Sequence, residues 1–470
     1  MDVKTDWMKQ RGLPVELVLG IDLGTTNFKA CVFGRDGRQC GLGRVAVRAD
    51  LSGDQCELPP ERFWAHLREA VAAALREADA GEGDIKAMAY SSQASSFILL
   101  DEHDEPLTPL ILWPDKRGAH DDPALAALWS RPDFADVTGL GLSPGPEFTP
   151  AKLAWFRQHR AEIWSKARRI MTISDYLVHS LIGRAVGDAG TAALLGMQDV
   201  RRLSWWPAAL EATGVEAGQL STPLRPGSLA GAVAAKGAAL LGVPAGVPLA
   251  VGSLDHHAAA IGAGLDRLGE ASESTGTVVA CIRHTDAYRP RPACTIGPGL
   301  REGQYFELVF DENGTGVLDW YRREHAPDKT IPDLLRMAEA VPGGQGPIAR
   351  PLANRYPGLE GFTGRSSSHG HGHYVRAILD STARTLGELI DGLYPAGRPK
   401  RIVATGGGAR SDFWLQVQAD RLGAEMVTVQ CEEPACLGAA LMAAVAAGWF
   451  ADAAEAGASW IRPRKVFSPR

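Results

Sequence analysis

Leu17-Val18-Leu19-Gly20-Ile21-Asp22-Leu23-Gly24-Thr25-Thr26-Asn27-Phe28-Lys29-Ala30-Cys31-Val32-Phe33 places two β-rich runs on either side of a Gly-Thr-Thr turn, and Arg35-Asp36-Gly37-Arg38 follows as a second tight turn. Strand, turn, strand, turn is a hairpin pattern. Gly24 permits close approach of the backbone to a ligand, and the amides and hydroxyls around Thr25 and Thr26 can face a phosphate. Asp22, at the end of an apolar strand, can hold Mg²⁺ through water, because that ion takes oxygen ligands and keeps its waters. Lys29 can neutralise phosphate charge. The plainer alternative is a hairpin with a turn-capping Asp22 and a solvated Lys29.

Further along, Pro60 to Ala80 has helical apolar spacing, with Phe63, Trp64, Leu67, Val71 and Leu75 on one side. Strand-like runs follow at Ile85 to Tyr90 and Phe97 to Leu100, and helices are predicted at Ala151 to His159 and Ser174 to Leu181. Leu249 to Gly252 is a short apolar run ending in Ser253-Leu254-Asp255-His256-His257, before a small-residue helix from Ala258 to Gly264. The second half opens much as the first does: Ser274-Thr275-Gly276-Thr277 precedes a β-branched run. Arg401 to Ala404 reads as a strand, Gly406-Gly407-Gly408 as a turn, and Asp412 to Leu422 and Leu437 to Gly448 as helices. Three consecutive glycines let a backbone lie flat against a base or ribose. The spacing predicts domains at 15–264 and 265–450 with a tail at 451–470.

A chain of 470 residues exceeds one simple core, which fits two domains. Its net charge of −6 argues against a nucleic-acid partner, which calls for a basic stripe. No run of about 18 apolar residues predicts a membrane span. The first residues lack a signal-peptide core, and no helix-turn-helix segment precedes Val18. Seven scattered cysteines without a Cys-x-x-Cys spacing read as reduced thiols in the cytoplasm.

Taken together, these blocks resemble the FGGY carbohydrate kinase family, over nearly the whole chain from Val18 to about Phe450. Gly20 to Thr26 is similar to its first phosphate motif. Ser91-Ser92-Gln93 and Pro109 to Arg117 are similar to its sugar-site segment ending in Trp-x-Asp-x-Arg. Phe148-Thr149-Pro150-Ala151-Lys152-Leu153 with Trp155, then Ser174 to Leu177 with Gly183 and Asp188, match the next two blocks. Val251 to His256 occupies the block of the catalytic aspartate. Ser274 to Thr277 resembles the second phosphate motif, and Gly406 to Ser411 with Ala435 to Ala440 the adenosine block.

The resemblance implies an α/β protein of two ribonuclease H-like (actin-like ATPase) domains with an interdomain active-site cleft. It implies ATP and Mg²⁺ as cofactors, with Asp255 as general base on a sugar hydroxyl and Asp22 helping to hold the metal. Thr25, Thr26, Lys29, Gly276 and Thr277 would contact phosphates. Gly316, Gly407, Gly408, Ala409 and Asp412 would border the adenosine. Gln93, Ala94, Ser95, Trp113, Asp115, Glu147, Asp255 and His256 would line the sugar pocket. The partner is then a small sugar, with a homodimer as the family's common assembly.

Several positions depart from the family pattern. Ketopentose kinases usually carry Gly-Gln-Met-His where this chain has Ser92-Gln93-Ala94-Ser95, and glycerol kinases an Arg-Glu pair at the last two positions. The pocket is therefore expected to be roomier and less charged. The residue after Asp255 is His256 instead of Asn or Gln. Ser366 to His373, with histidines at 369, 371 and 373, replaces a more apolar segment and reads as a mobile loop leading to a helix near Tyr374. The leading expectation is a ketose kinase. The alternatives are a polyol kinase and a non-catalytic ATPase-fold sugar-binding protein. Asp255 has its own plain alternative as the N-cap of the following helix, Trp113 as core, and Asp115 with Arg117 as a surface ion pair.

Overall fold

The computed structural model of the protein describes residues 16–81, 83–118 and 121–470. They form two sheet-rich α/β units. The first comprises residues up to Gly262, with Thr285–Phe306 and Glu433–Trp460; the second comprises Ala263–His284, Glu307–Glu432 and Ile461–Arg470. Residues 433–460 thus join the unit that carries the first hairpin.

The first unit is built on a mixed sheet. Its order is Leu229–Ala232, Pro248–Ala250, Ile85–Ser92, Leu17–Leu23, Asn27–Gly34, Gln39–Ala46. The hairpin strands pair antiparallel, whereas Leu17–Leu23 pairs parallel with Ile85–Ser92. Every residue of Leu17–Leu23 is buried, as a central strand covered on both faces requires. The Pro60–Glu77 helix begins with proline at its first position, where the missing amide donor is not needed. It turns Phe63, Trp64, Leu67 and Val71 into the core with Ile21, Phe28 and Leu177.

A second helix, Pro434–Ala446, is buried along most of its length. It lies against Asp255–Ala263 with almost no space between backbones. A Cβ on Gly438 would stand 2.0 Å from the Ala258 carbonyl oxygen, and one on Gly262 2.0 Å from that of Pro434. This run of small residues is therefore a helix-packing seam. The first unit also holds a smaller five-stranded sheet containing Phe97–Leu100 and Leu110–Ile111. The Thr149–His159 helix contributes Leu153 and Phe156 to the core beside it.

In the second unit the strand order is Tyr305–Asp311, Val279–Thr285, Ala271–Thr275, Arg401–Thr405, Glu425–Val429, Pro463–Phe467. Ala271–Thr275 and Val279–Thr285 form the second hairpin, and Ala271–Thr275 runs parallel with Arg401–Thr405. The helices Thr315–His325, His371–Leu393 and Asp412–Leu422 pack around a core of Val317, Tyr321, Ile378 and Trp414.

Two local expectations change. The His371–Leu393 helix starts three residues before Tyr374, so His371 and His373 are helical. The Tyr321 hydroxyl lies 3.0 Å from His371 Nδ1, Gly370 N donates to His373 Nδ1, and Ser366 N donates to His369 Nδ1. The three rings serve local packing and capping, and among the described residues no group of three or more His, Cys, Asp or Glu is arranged to hold a metal. The second change concerns the helix after the Ser253 strand, which begins at Asp255 itself and not near Ala258.

Candidate active site

Three parallel strand ends meet in the first unit. Asp22 stands opposite Ser91, and Ser91 opposite Ser253. Asp255 opens a helix two residues beyond Ser253. Strand register thus gathers residues distant in the chain at the carboxyl edge of one sheet, where α/β proteins place ligands.

The two carboxylates differ in what they touch. Asp22 is buried; its Oδ1 accepts from the Ser91 hydroxyl at 2.9 Å, and Lys29 Nζ lies 3.3 Å from its Oδ2. Burial pushes its pKa up, Lys29 draws it down, and the nearby Asp255 charge pushes it up again. Asp255 is half-buried and, among the described residues, accepts only the His256 amide, at 2.7 Å. One carboxylate is therefore held by a cation and a hydroxyl, and the other keeps an oxygen open.

Lys29 is not simply solvated. Its Nζ also lies 2.9 Å from Glu433 Oε2, and Arg44 pairs with the other Glu433 oxygen. Burial disfavours its charge, but Asp22 and Glu433 outweigh that and hold its pKa above the ordinary lysine value. Thr25 and Thr26 are exposed at the turn, with Gly24 beside them.

Of the expected sugar residues, Gln93 and Trp113 have direct bonds to the turn at this edge. The Trp113 indole Nε1 donates to Thr25 Oγ1 at 2.7 Å, which ties the Trp113 segment to the Gly24–Thr26 turn. Trp113 is 41% exposed, so the core alternative does not hold. Gln93 is buried, donating to the Gly24 carbonyl at 3.3 Å and accepting from the Ser96 hydroxyl at 3.0 Å. Ala94 and Ser95 are half-buried, and Ser95 has φ of +59°, a strained value for a residue with a side chain. Glu147 and His256 are partly exposed.

Asp115 is placed differently. It is fully buried and accepts from Cys56 N at 2.7 Å and from Arg117 Nη2 at 2.7 Å. Arg117 also reaches Glu57 at 2.6 Å. The Asp115–Arg117 pair is an interior one, not a surface one, and it braces the segment after Trp113.

In the second unit, Thr277 is exposed at the tip of the hairpin. The Gly276 carbonyl accepts from the Thr315 amide at 2.7 Å, which draws the start of the Thr315–His325 helix, with Gly316, onto the turn. The triple glycine packs on the same turn. Gly406 has φ of +80°, and a Cβ on Gly408 would lie 2.8 Å from Thr275 Cβ. Both are therefore demanded by the neighbouring strand. Gly407 alone is open: a Cβ there would come no nearer than 3.9 Å to the Thr275 carbonyl oxygen. Ala409 lies in the short turn that follows, and Asp412 begins the next helix with its carboxylate on Lys465 Nζ at 2.5 Å.

Three residues at these sites carry no assigned role in the sequence reading: Ser91, Glu433 and Lys152. The lysine leaves a faint signal, a single cation inside Pro150-Ala151-Lys152-Leu153-Ala154. Glu433 leaves none, because its partners are Lys29 and Arg44 at the other end of the chain.

The profile of the N-terminal domain of the FGGY family of carbohydrate kinases matches residues 17–262, and that of its C-terminal domain residues 317–447. The chain is 26% identical to xylulose kinase from Bacillus subtilis, over 97% of this chain and 93% of that one. It is 28% identical to gluconokinase from the same organism, over 92% and 88% of the two chains. Among solved structures, a ligand-bound xylulose kinase from Lactobacillus acidophilus shares the fold with a TM-score of 0.84 at 24% identity, covering 97% of this chain and 94% of that chain.

Proposed function

The chain belongs to the FGGY family of carbohydrate kinases, and from that premise we propose that it transfers the γ-phosphoryl group of ATP to a hydroxyl of a ketose, with Asp255 as general base. The observation that carries this reading is the pairing of an engaged carboxylate, Asp22, with an open one, Asp255, at one sheet edge.

The acceptor oxygen attacks the γ-phosphorus, its proton passes to Asp255, the bond to the β–γ bridging oxygen breaks, and ADP leaves. Such a transfer depends chiefly on positioning and charge stabilisation, so a modest base suffices. Mg²⁺ fits the donor set: a buried carboxylate, Asp22, whose charge is disfavoured by that of the neighbouring Asp255 attracts a divalent cation. Asp22 would hold it through water, and it would neutralise phosphate charge. The Thr25-Thr26 turn, supported by the Trp113 indole, offers hydroxyls to a phosphate. In the second unit, Thr277, Gly316, Gly407, Gly408 and Ala409 would serve the nucleotide.

The relatives include both a xylulose kinase and a gluconokinase, and one observation favours a neutral polyhydroxy acceptor over an acidic one. The buried cations Arg117 and Lys152 are both occupied, Arg117 by Asp115 and Glu57 and Lys152 by backbone carbonyls, so neither is free for an acidic sugar. The seven free thiols suit a reducing compartment.

The test is ADP release with Mg·ATP and a panel of ketopentoses, ketohexoses, polyols and gluconate. Stimulation by a ketose supports the reading. Stimulation by gluconate or a polyol alone would reassign the acceptor, and none by any compound with ATP still bound would favour a non-catalytic protein.

A further inference from the structure

Lys152 lies in the middle of the Thr149–His159 helix and is completely buried. A lysine ammonium removed from water needs hydrogen-bond partners. Here they are backbone carbonyls: Leu112 O at 3.0 Å, Trp113 O at 3.2 Å and Ser95 O at 3.5 Å. Among the described residues no carboxylate stands at ion-pair distance from it. The carbonyls belong to two loops. One carries Ala94 and Ser95, with Ser95 in its strained left-handed conformation. The other carries Trp113, whose amide donates to the Ser96 hydroxyl at 2.8 Å and whose indole reaches Thr25.

We propose that Lys152 is a positioning residue of the acceptor site: its buried ammonium draws the Ser95 and Trp113 loops to one point and fixes the spacing of the groups they present. This rests on the reading of those loops as the acceptor site. The geometry supports it in two ways. A cation with three donors can bind three converging carbonyls at once, which no neutral side chain of that length does. Ser95 holds a positive φ only while its surroundings enforce it, and one of those constraints is the bond to its own carbonyl.

The charge is also titratable. Burial lowers the Lys152 pKa to about 8, opposed by Asp115 and Glu147, aided by Arg117, and opposed weakly by Cys56. Neutralisation removes one donor and the charge assistance, so the loops loosen as pH rises past that value. Global stability moves the other way. With the unfolded pKa near ~10.4, the unfolded state binds more protons between the two values, so this group's contribution makes stability rise with pH there. An alkaline loss of acceptor affinity is then opposite in sign to what this group contributes to unfolding, and denaturation curves at the same pH separate the two.

The experiment compares wild type, Lys152→Met and Lys152→Arg by kinetics and by hydrogen exchange of peptides spanning 93–97 and 111–117. In Lys152→Met the acceptor KM is expected to rise about tenfold or more, with the ATP KM within about threefold. Exchange in the two peptides is expected to quicken. In wild type the acceptor KM rises above pH 8, and Lys152→Arg lacks that rise. Unchanged exchange with unchanged acceptor KM in Lys152→Met overturns the proposal. If Lys152→Met does not fold, a flat acceptor KM in wild type from pH 7 to 9.5 overturns it. Absence of any acceptor-dependent ADP release in wild type would instead overturn the kinase reading, leaving hydrogen exchange to decide the role of Lys152.

Discussion

Lys29 Nζ lies 2.9 Å from Glu433 Oε2, joining a residue of the first hairpin to one that precedes the Pro434–Ala446 helix. Glu433 is 5% exposed and answers two cations, Lys29 and Arg44. The pairing aims Lys29 so that the same ammonium reaches Asp22 at 3.3 Å. A carboxylate distant in sequence thereby helps Asp22 hold the Lys29 charge beside the Gly24–Thr26 turn.

Glu433→Gln is expected to lower stability by about 1–2 kcal/mol, less than a fully buried pair because Lys29 and Arg44 are partly solvated. Urea unfolding measures this. The released Lys29 should also alter the ATP KM more than the acceptor KM.

Asp255→Asn is expected to lower kcat by about 10² to 10⁴-fold, the usual contribution of a positioned base. Nucleotide affinity, measured by calorimetry, should stay within a few-fold. Retention of near-full kcat would leave Asp255 as a helix-start residue and remove it from the chemistry.

The triple glycine separates into structural and open positions. Gly408→Ala should destabilise by about 1–3 kcal/mol, because its Cβ would meet Thr275 at 2.8 Å. Gly407→Ala has room and should leave unfolding unchanged. A rise in ATP KM in Gly407→Ala alone would identify its face as the one that meets nucleotide.

Asp175 and Asp188 are buried near each other, and burial followed by the Asp188 charge raises Asp175 to about 7. The unfolded value is near ~3.9, so between the two the folded state holds a proton that the unfolded state has released. Stability from this group therefore falls as pH rises through that window. Asp175→Asn keeps an acceptor for the Thr172 amide and removes the titration. Its stability-versus-pH curve from pH 5 to 8, followed by chemical denaturation, should be flatter than that of wild type, with the two converging or crossing near pH 8.

Local chemistry was legible in the sequence wherever neighbours along the chain decide the outcome. The Gly24-Thr25-Thr26 hairpin, the Pro60 helix and the strand before the triple glycine follow from turn residues and apolar spacing. The ordered succession of motifs disclosed the family for the same reason. What no local reading supplied was the set of partners. Asp22 meets Ser91 because two parallel strands pair in one register. Lys29 meets Glu433 because a helix from the far end of the chain packs on the first sheet. Gly406 and Gly408 answer to Thr275 before any ligand, and Lys152 gathers carbonyls from two loops. Sequence alone determined which residues could carry charge and form turns, because those properties belong to each residue and its neighbours. Tertiary structure alone decided which charges are paired, buried or left open, because those depend on distances that strand register and helix packing impose.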